Sequence, residues 1–311
     1  MLKLFGETMD KNPIQTVNAA GTEIAYEIHG DMKDPIVLLI HGLGMPMTAW
    51  PFPMVERLKQ QGFCVLRIDN RDQGASQMFD HLPQQNMVWQ FFKFKMGMPV
   101  SSAYSLMDMM TDAVGVLDEL KIEHVHVAGA SMGGMIAQLM SIHVPERIKS
   151  LTSIMSNHGG TKLKGPTHKV ASHLMSLPVS HSAQSIMNYH VKTWQLIGSP
   201  GYPTTEEDLE VYVKGLMDRG MNASGTARQM LAIMSANNRI HDLAKLTMPC
   251  QVIHGTDDPL VRVEGGVATA KAIPNAKLHL IEGMGHDFPE ALHVRVCGHI
   301  ADLVKSAEGA I

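Results

Sequence analysis

The sequence predicts an α/β protein with a doubly wound, mostly parallel sheet carrying helices on both faces. Three observations carry this. The runs "PIVLLIHG" (35–42), "FCVLRID" (63–69) and "HVHVAG" (124–129) are continuously apolar or nearly so, as strands buried on both faces are. Stretches of helical period separate them, and strands alternating with helices imply right-handed crossovers into a parallel sheet. After a long interval without such runs, "CQVIHG" (250–255) and "AKLHLIEG" (276–283) resume the strand pattern.

The elements follow in order. "IQTVNAAGTEIAYEIHG", from Ile14, alternates apolar and polar residues around Ala20-Gly21, which predicts a hairpin of half-exposed strands. Residues 50–61 read as a helix after its prolines. In "SLMDMMTDAVGVLDEL" (105–120), Leu106, Met109, Met110, Ala113, Val114, Val116 and Leu117 recur at helical spacing with acids opposite. Met132 to His143 reads as a helix, "IKSLTSIM" (148–155) as a strand, 205–219 and 222–236 as helices, and about 289–306 as the last helix. The expected organisation is a discontinuous core, 1–156 and 239–311, interrupted by a mostly helical insertion at 157–238.

Composition narrows the function. With 45% hydrophobic residues, 18% charged residues and a formal net charge of −4, the 311-residue chain has no bias toward polyanions, so nucleic acid is not an expected partner. "MLKLFGETMDKNP" has no apolar core of a signal peptide, and no run is long enough to span a bilayer. A cytoplasmic protein with no membrane partner is expected. Cys64, Cys250 and Cys297 lack the spacing of a disulfide framework or a metal site, so reduced, buried thiols are expected. His124 and His126, at i and i+2 of a strand, have no third ligand and read as packing residues. The 25 methionines suit either a pliable apolar pocket or plain replacement of leucine in the core.

The chemistry centres on "HVHVAGASMGGMIAQ" (124–138). Gly129-Ala130-Ser131-Met132-Gly133 fits G-x-S-x-G, in which small neighbours let a serine occupy a sharp strand-to-helix turn with its hydroxyl clear of the sheet. The helix that follows aims its amides and positive dipole end at the same place. A glycine-lined turn of purely structural role would look the same locally. A serine nucleophile also needs a base and an acid that orients the base. "HGTDDPLV" supplies Asp257 and Asp258, and "GMGHDF" supplies His286, each just beyond a predicted strand on the edge where such sheets collect ligands. Ser131, Asp258 and His286 are therefore the expected catalytic set, with Asp257 the rival orienter. "IHGLG" (40–44) supplies a glycine turn for a second oxyanion donor, so the amides of Leu43 and Met132 are the expected oxyanion hole. Met45 is a candidate for the substrate pocket.

"HGLG", "GASMGG", "HGTDDPLV" and "GMGH" resemble the α/β-hydrolase superfamily across nearly the whole chain. "IDNRDQGAS" (68–76) and "GASMGGMIAQLMSIHVPERIKSLTSIMS" (129–156) are similar to the bacterial carboxylesterase branch that includes aclacinomycin methylesterase. The resemblance implies an α/β-hydrolase fold with a mostly parallel eight-stranded sheet and a helical cap inserted after the sixth strand. It also implies a serine carboxylesterase with no cofactor and no metal, acting on a small-molecule ester. Ser131 is then nucleophile, His286 base and Asp258 orienter. "HGLG" departs from the HGGG loop of some lipases, so bulky alcohol groups are disfavoured. The stretch from Thr161 onward carries no substrate signature. Asp69 and Arg71 are expected to pair as a buried brace. Amide, thioester and carbon–carbon bond hydrolysis and perhydrolysis stay open on the same triad, as does a ligand-binding module. The serine at 131 argues against haloalkane dehalogenase and epoxide hydrolase chemistry, which need a carboxylate there.

Overall fold

The computed structural model describes residues 13–160, 163–176, 178–180 and 182–309; all of the N-terminal segment without an expected export signal except Pro13 lies outside them. The strands are β1 (Gln15–Ala19), β2 (Thr22–His29), β3 (Ile36–Ile40), β4 (Cys64–Ile68), β5 (Val125–Ala130), β6 (Ile148–Ile154), β7 (Cys250–Gly255) and β8 (Lys277–Ile281). The helices are α1 (Phe52–Gln60), α2 (Met87–Lys95), α3 (Leu106–Glu119), α4 (Met132–His143), α5 (His168–Leu174), α6 (Ala183–Ile197), α7 (Glu206–Gly220), α8 (Ala223–Ser235), α9 (Ile240–Leu243), α10 (Val263–Ala272) and α11 (Glu290–Glu308).

The strands form one eight-stranded sheet in the order β1-β2-β4-β3-β5-β6-β7-β8. β1 and β2 pair antiparallel, β2 joins β4 antiparallel, and every later pairing is parallel. The first hairpin turns at Ala20 and Gly21, both at positive φ (50° and 94°), the twist that a two-residue hairpin loop needs.

Because side chains alternate across a strand, β3 feeds two cores at once. Ile36, Leu38 and Ile40 join one apolar cluster with α3 and α4, and Val37 and Leu39 join the other with α1 and α11. This two-sided burial is why "IVLLI" shows no polar alternation. Each fully buried leucine or methionine there contributes roughly 1.5–3 kcal/mol relative to exposure. α3 starts on a capping box, Ser105 with Asp108, which fixes the first turn of the helix where the apolar period begins.

A third cluster stands apart from the sheet. Val170 of α5, Val191, Trp194 and Ile197 of α6, and Leu209, Val213 and Leu216 of α7 pack together with Ala49. The chain between β6 and β7 contains no strand among its described residues.

Three expectations need correction. β2 is buried along most of its length rather than half exposed, because it lies inside the sheet between β1 and β4 and touches both α1 and α3. Arg71 does not pair with Asp69. It reaches Asp112 of α3 through two bonds of 2.6 and 2.7 Å, while Asp69 accepts from the amides of Met47 and Ala75 and from Arg219. His124 lies before β5 and is exposed, so it does not share a face with His126. His126 is buried and bonds to Ser150 and Glu308. Cys64, Cys250 and Cys297 are free and buried, as expected, and burial pushes their thiols up to about 11, 12 and 12.

Candidate active site

The chain leaves β3 toward β4 on one side while β5 lies on the other, so a crevice opens at the carboxyl ends of β3 and β5. Ser131 occupies that point. It follows β5 directly, at φ 56° and ψ −120°, a conformation that costs a non-glycine residue on the order of 1–3 kcal/mol and persists only where neighbours hold it. Here its amide donates to Ile154 O at 2.9 Å and its carbonyl accepts from Ser156 Oγ at 2.7 Å. The flanking glycines let the turn close. A Cβ on Gly129 would lie 2.1 Å from Gly133 O, and one on Gly133 would lie 2.1 Å from Ile40 O.

The three expected residues meet. His286 Nε2 lies 3.0 Å from Ser131 Oγ, and His286 Nδ1 lies 2.7 Å from Asp258 Oδ2. Asp258 is 1% exposed, and its Oδ1 accepts from the amides of Leu260 and Val261 at 2.9 and 2.8 Å. Burial alone would raise its pKa, but the facing charge of His286 and hydrogen bonds from His254 and His286 hold the carboxyl well below the usual range. Asp257 is elsewhere: exposed, its Oδ2 accepts from Thr256 Oγ1 and the amide of Gly283.

The glycine turn after β3 lies against the serine. A Cβ on Gly42 would sit 2.9 Å from Ser131 Cβ and 3.4 Å from its Oγ. Leu43 follows, half-buried, and Met132 opens α4, where first-turn amides have no partner within the helix. Met45 is partly buried against the cluster of α5, α6 and α7, as are Met187, Met217, Met221 and Leu260. Other methionines, such as Met109, Met140 and Met284, fill the sheet cores in the place of leucine.

Several supporting residues were not legible in the sequence. Gln229 of α8 is fully buried, accepts the Gly44 amide at 2.8 Å and donates to Arg71 O at 2.8 Å, which ties the glycine turn to the β4 exit. His41 is buried beside His286, which together push its imidazole down to about 3, and its Nδ1 accepts the Gly42 amide at 2.6 Å. Trp50 and Phe288 stack at 4.8 Å and link the β3 exit to the loop bearing His286.

That loop is also clamped from the α6 side. The His286 amide donates to Ile197 O at 2.7 Å, the Gly285 amide donates to Ser199 Oγ at 2.9 Å, and Ser199 Oγ donates in turn to Asp287. Burial pushes the Asp287 carboxyl up to about 6 despite the hydrogen bonds from Ser199. The only sequence signal for this clamp is an acid directly after the histidine, which many surface loops share.

A family model described as alpha/beta hydrolase fold matches residues 35–290, and the chain belongs to that family. It is an α/β hydrolase. Among known proteins it is similar to the rhodomycin D methylesterase DauP of Streptomyces sp. (strain C5), with 26% identity over 295 residues, 87% of this chain and 92% of that one. This agrees with the methylesterase likeness of the elbow block. It is also similar to a 2-hydroxy-6-oxononadienedioate/2-hydroxy-6-oxononatrienedioate hydrolase of Cupriavidus pinatubonensis (strain JMP 134 / LMG 1197), 26% identical over 297 residues, 88% of this chain and 92% of that one. Among solved structures, the enol-lactonase of Burkholderia xenovorans LB400 shares the fold with a TM-score of 0.70 and 20% identity, over 95% of this chain and all of that one.

Proposed function

We propose that the protein is a serine carboxylesterase acting on a small-molecule ester with a small to medium acyl group. The observation that carries this is the continuous hydrogen-bonded series Ser131–His286–Asp258 at the strained turn after β5. On this reading His286 takes the proton of Ser131 as the hydroxyl attacks the ester carbonyl, and the amides of Leu43 and Met132 hold the oxyanion. The C–O bond to the alcohol breaks as His286 returns the proton to the leaving oxygen. Water, deprotonated by the same histidine, then attacks the acyl-enzyme and releases the acid. Asp258, kept ionised, fixes the ring orientation and stabilises the imidazolium.

In the proposed organisation, 157–238 is a cap over a core of 1–156 and 239–311. Met45, Met187, Met217, Met221 and Leu260, partly buried against the cluster of α5, α6 and α7, would make an acyl pocket beside it adaptable. Arg71, Arg219 and Arg228, around the β4 exit, are each paired with aspartates, at 2.6, 3.0 and 2.7 Å, so none of these three offers an unopposed charge to a dicarboxylate. The test is a series of p-nitrophenyl esters from acetate to laurate, set beside a dienoate substrate cleaved at carbon–carbon bonds. Ester turnover that peaks at short or medium chains and vanishes in Ser131→Ala supports the reading. Turnover of the dienoate alone rejects it in favour of carbon–carbon hydrolysis.

A further inference from the structure

Helix α2 inverts the usual polarity of a surface helix. Its one fully buried side chain is Gln90, at 3% exposure, whereas Val88 is 81% exposed, Trp89 50% and Phe92 48%. Positions 88, 92 and 96, with 89 beside them, fall on one face by helical spacing, and Met96 is 63% exposed. The helix does not owe this exposure to a missing anchor. Asn86 Oδ1 accepts the Trp89 amide, Gln90 accepts the Ser101 amide and donates to Gln85, and the inner side packs on α8. Polar contacts inside hold aromatic residues outside.

The charge carried by this segment has one sign. From His81 to Tyr104 the chain contains Lys93 and Lys95 and no aspartate or glutamate, although the whole chain carries a net charge of −4. The Lys95 ammonium lies 5.4 Å from the Phe91 ring centre, and Trp89 and Phe92 stack at 5.3 Å. Exposed aromatic rings with lysines on the same helix suit the boundary between lipid headgroups and acyl chains.

We propose that α2 docks the protein onto an anionic lipid surface. An exposed apolar patch of this kind marks an interaction site, and the cations beside it select the partner. A two-fold contact between copies of this chain through α2 would set the same lysine-bearing helix of each copy against the other and oppose like charges. Anionic headgroups neutralise those lysines instead. Among the described residues no helix is long and apolar enough to cross a membrane, so the contact is peripheral. It differs from the sequence expectation of no membrane partner, which weighed only signal peptides and spans. The assignment does not depend on the reaction the site performs.

The test uses the full chain with phosphatidylcholine vesicles, with and without phosphatidylglycerol. Trp50 and Trp194 are buried, so among the three tryptophans Trp89 is the one whose emission should shift to the blue on docking. The expected result is a blue shift and co-sedimentation with the phosphatidylglycerol vesicles, both weakened by salt. Phe92→Ser should weaken partitioning about tenfold or more, and Lys93→Gln with Lys95→Gln about 30-fold. Thermal unfolding verifies that each variant is folded, and the lysine pair keeps the test valid should Phe92→Ser misfold. Absence of binding to anionic vesicles, or equal binding to both compositions that is indifferent to the lysine changes, overturns the proposal. So does a dimer in lipid-free sedimentation that Phe92→Ser dissociates without any vesicle binding, which would assign the face to a second copy.

Discussion

Replacing Asp287 with asparagine should change the pH dependence of stability in a direction fixed by the structure. Burial raises this carboxyl from 3.8 to about 6. The folded state therefore holds the proton more tightly than the unfolded state, and stability falls as pH rises from near 4 through 6. The ionised group costs the folded state about 3 kcal/mol at about pH 8 and about 1 kcal/mol at about pH 4.5. Asparagine retains an oxygen for the Ser199 hydroxyl but does not ionise. Its stability relative to wild type should thus improve by about 2 kcal/mol between the lower and the higher pH, whatever constant penalty the altered hydrogen bonding adds. For a chain of this size that is a change of about 3 °C in the difference between the two melting temperatures. Calorimetric melts of both proteins at the two pH values measure it. A difference in Tm that stays constant with pH would refute a buried, proton-binding Asp287.

Further outcomes follow from the same geometry. On the proposed assignment, Ser131→Ala and His286→Ala should each lower ester kcat by several orders of magnitude, and the double variant should be little worse than either, as steady-state kinetics would reveal. Asp258→Asn should lower kcat by about 10³–10⁴-fold, while Asp257→Asn, bonded at the turn after β8, should leave it within a factor of about two to three; the reverse pattern would reassign the orienting acid. Arg228→Met should destabilise the fold by about 3–5 kcal/mol in denaturant titration, because the Asp72 carboxylate it grips at 2.7 and 2.8 Å is fully buried. A loss below about 1 kcal/mol would mean that Tyr104 and the Phe79 amide satisfy Asp72 alone.

The parts legible in the sequence are those whose physics is local. A strand buried on both faces announces itself by a largely apolar run; Ser131 and Asp258 follow the fully buried β5 and β7, and His286 follows β8, the partly exposed edge strand, so strand order brings the three to one edge. Of the G-x-S-x-G glycines, Gly129 answers a local demand, leaving room for the Gly133 carbonyl, whereas Gly133 makes room for Ile40 of the distant β3. Residues held by distant partners were not legible. Arg71 meets Asp112, 41 positions away, rather than its near neighbour Asp69, and Gln229 meets Gly44 across 185 positions. No period in the sequence encodes those pairings. β2 misled for a related reason: alternation signals a half-exposed strand only at a sheet margin, and β2 lies within the sheet with helices against it. α2 escaped notice because its apolar face is turned outward, which periodicity reads as a core-facing stripe or not at all.

On the proposed assignment Ser131 is a nucleophile activated by His286. Incubation with a fluorophosphonate followed by peptide mass analysis should give one phosphonyl adduct, on the peptide containing Ser131, that is lost in Ser131→Ala and strongly slowed in His286→Ala. A folded wild-type protein that stays unlabelled, or an adduct on another serine that persists in Ser131→Ala, would contradict it.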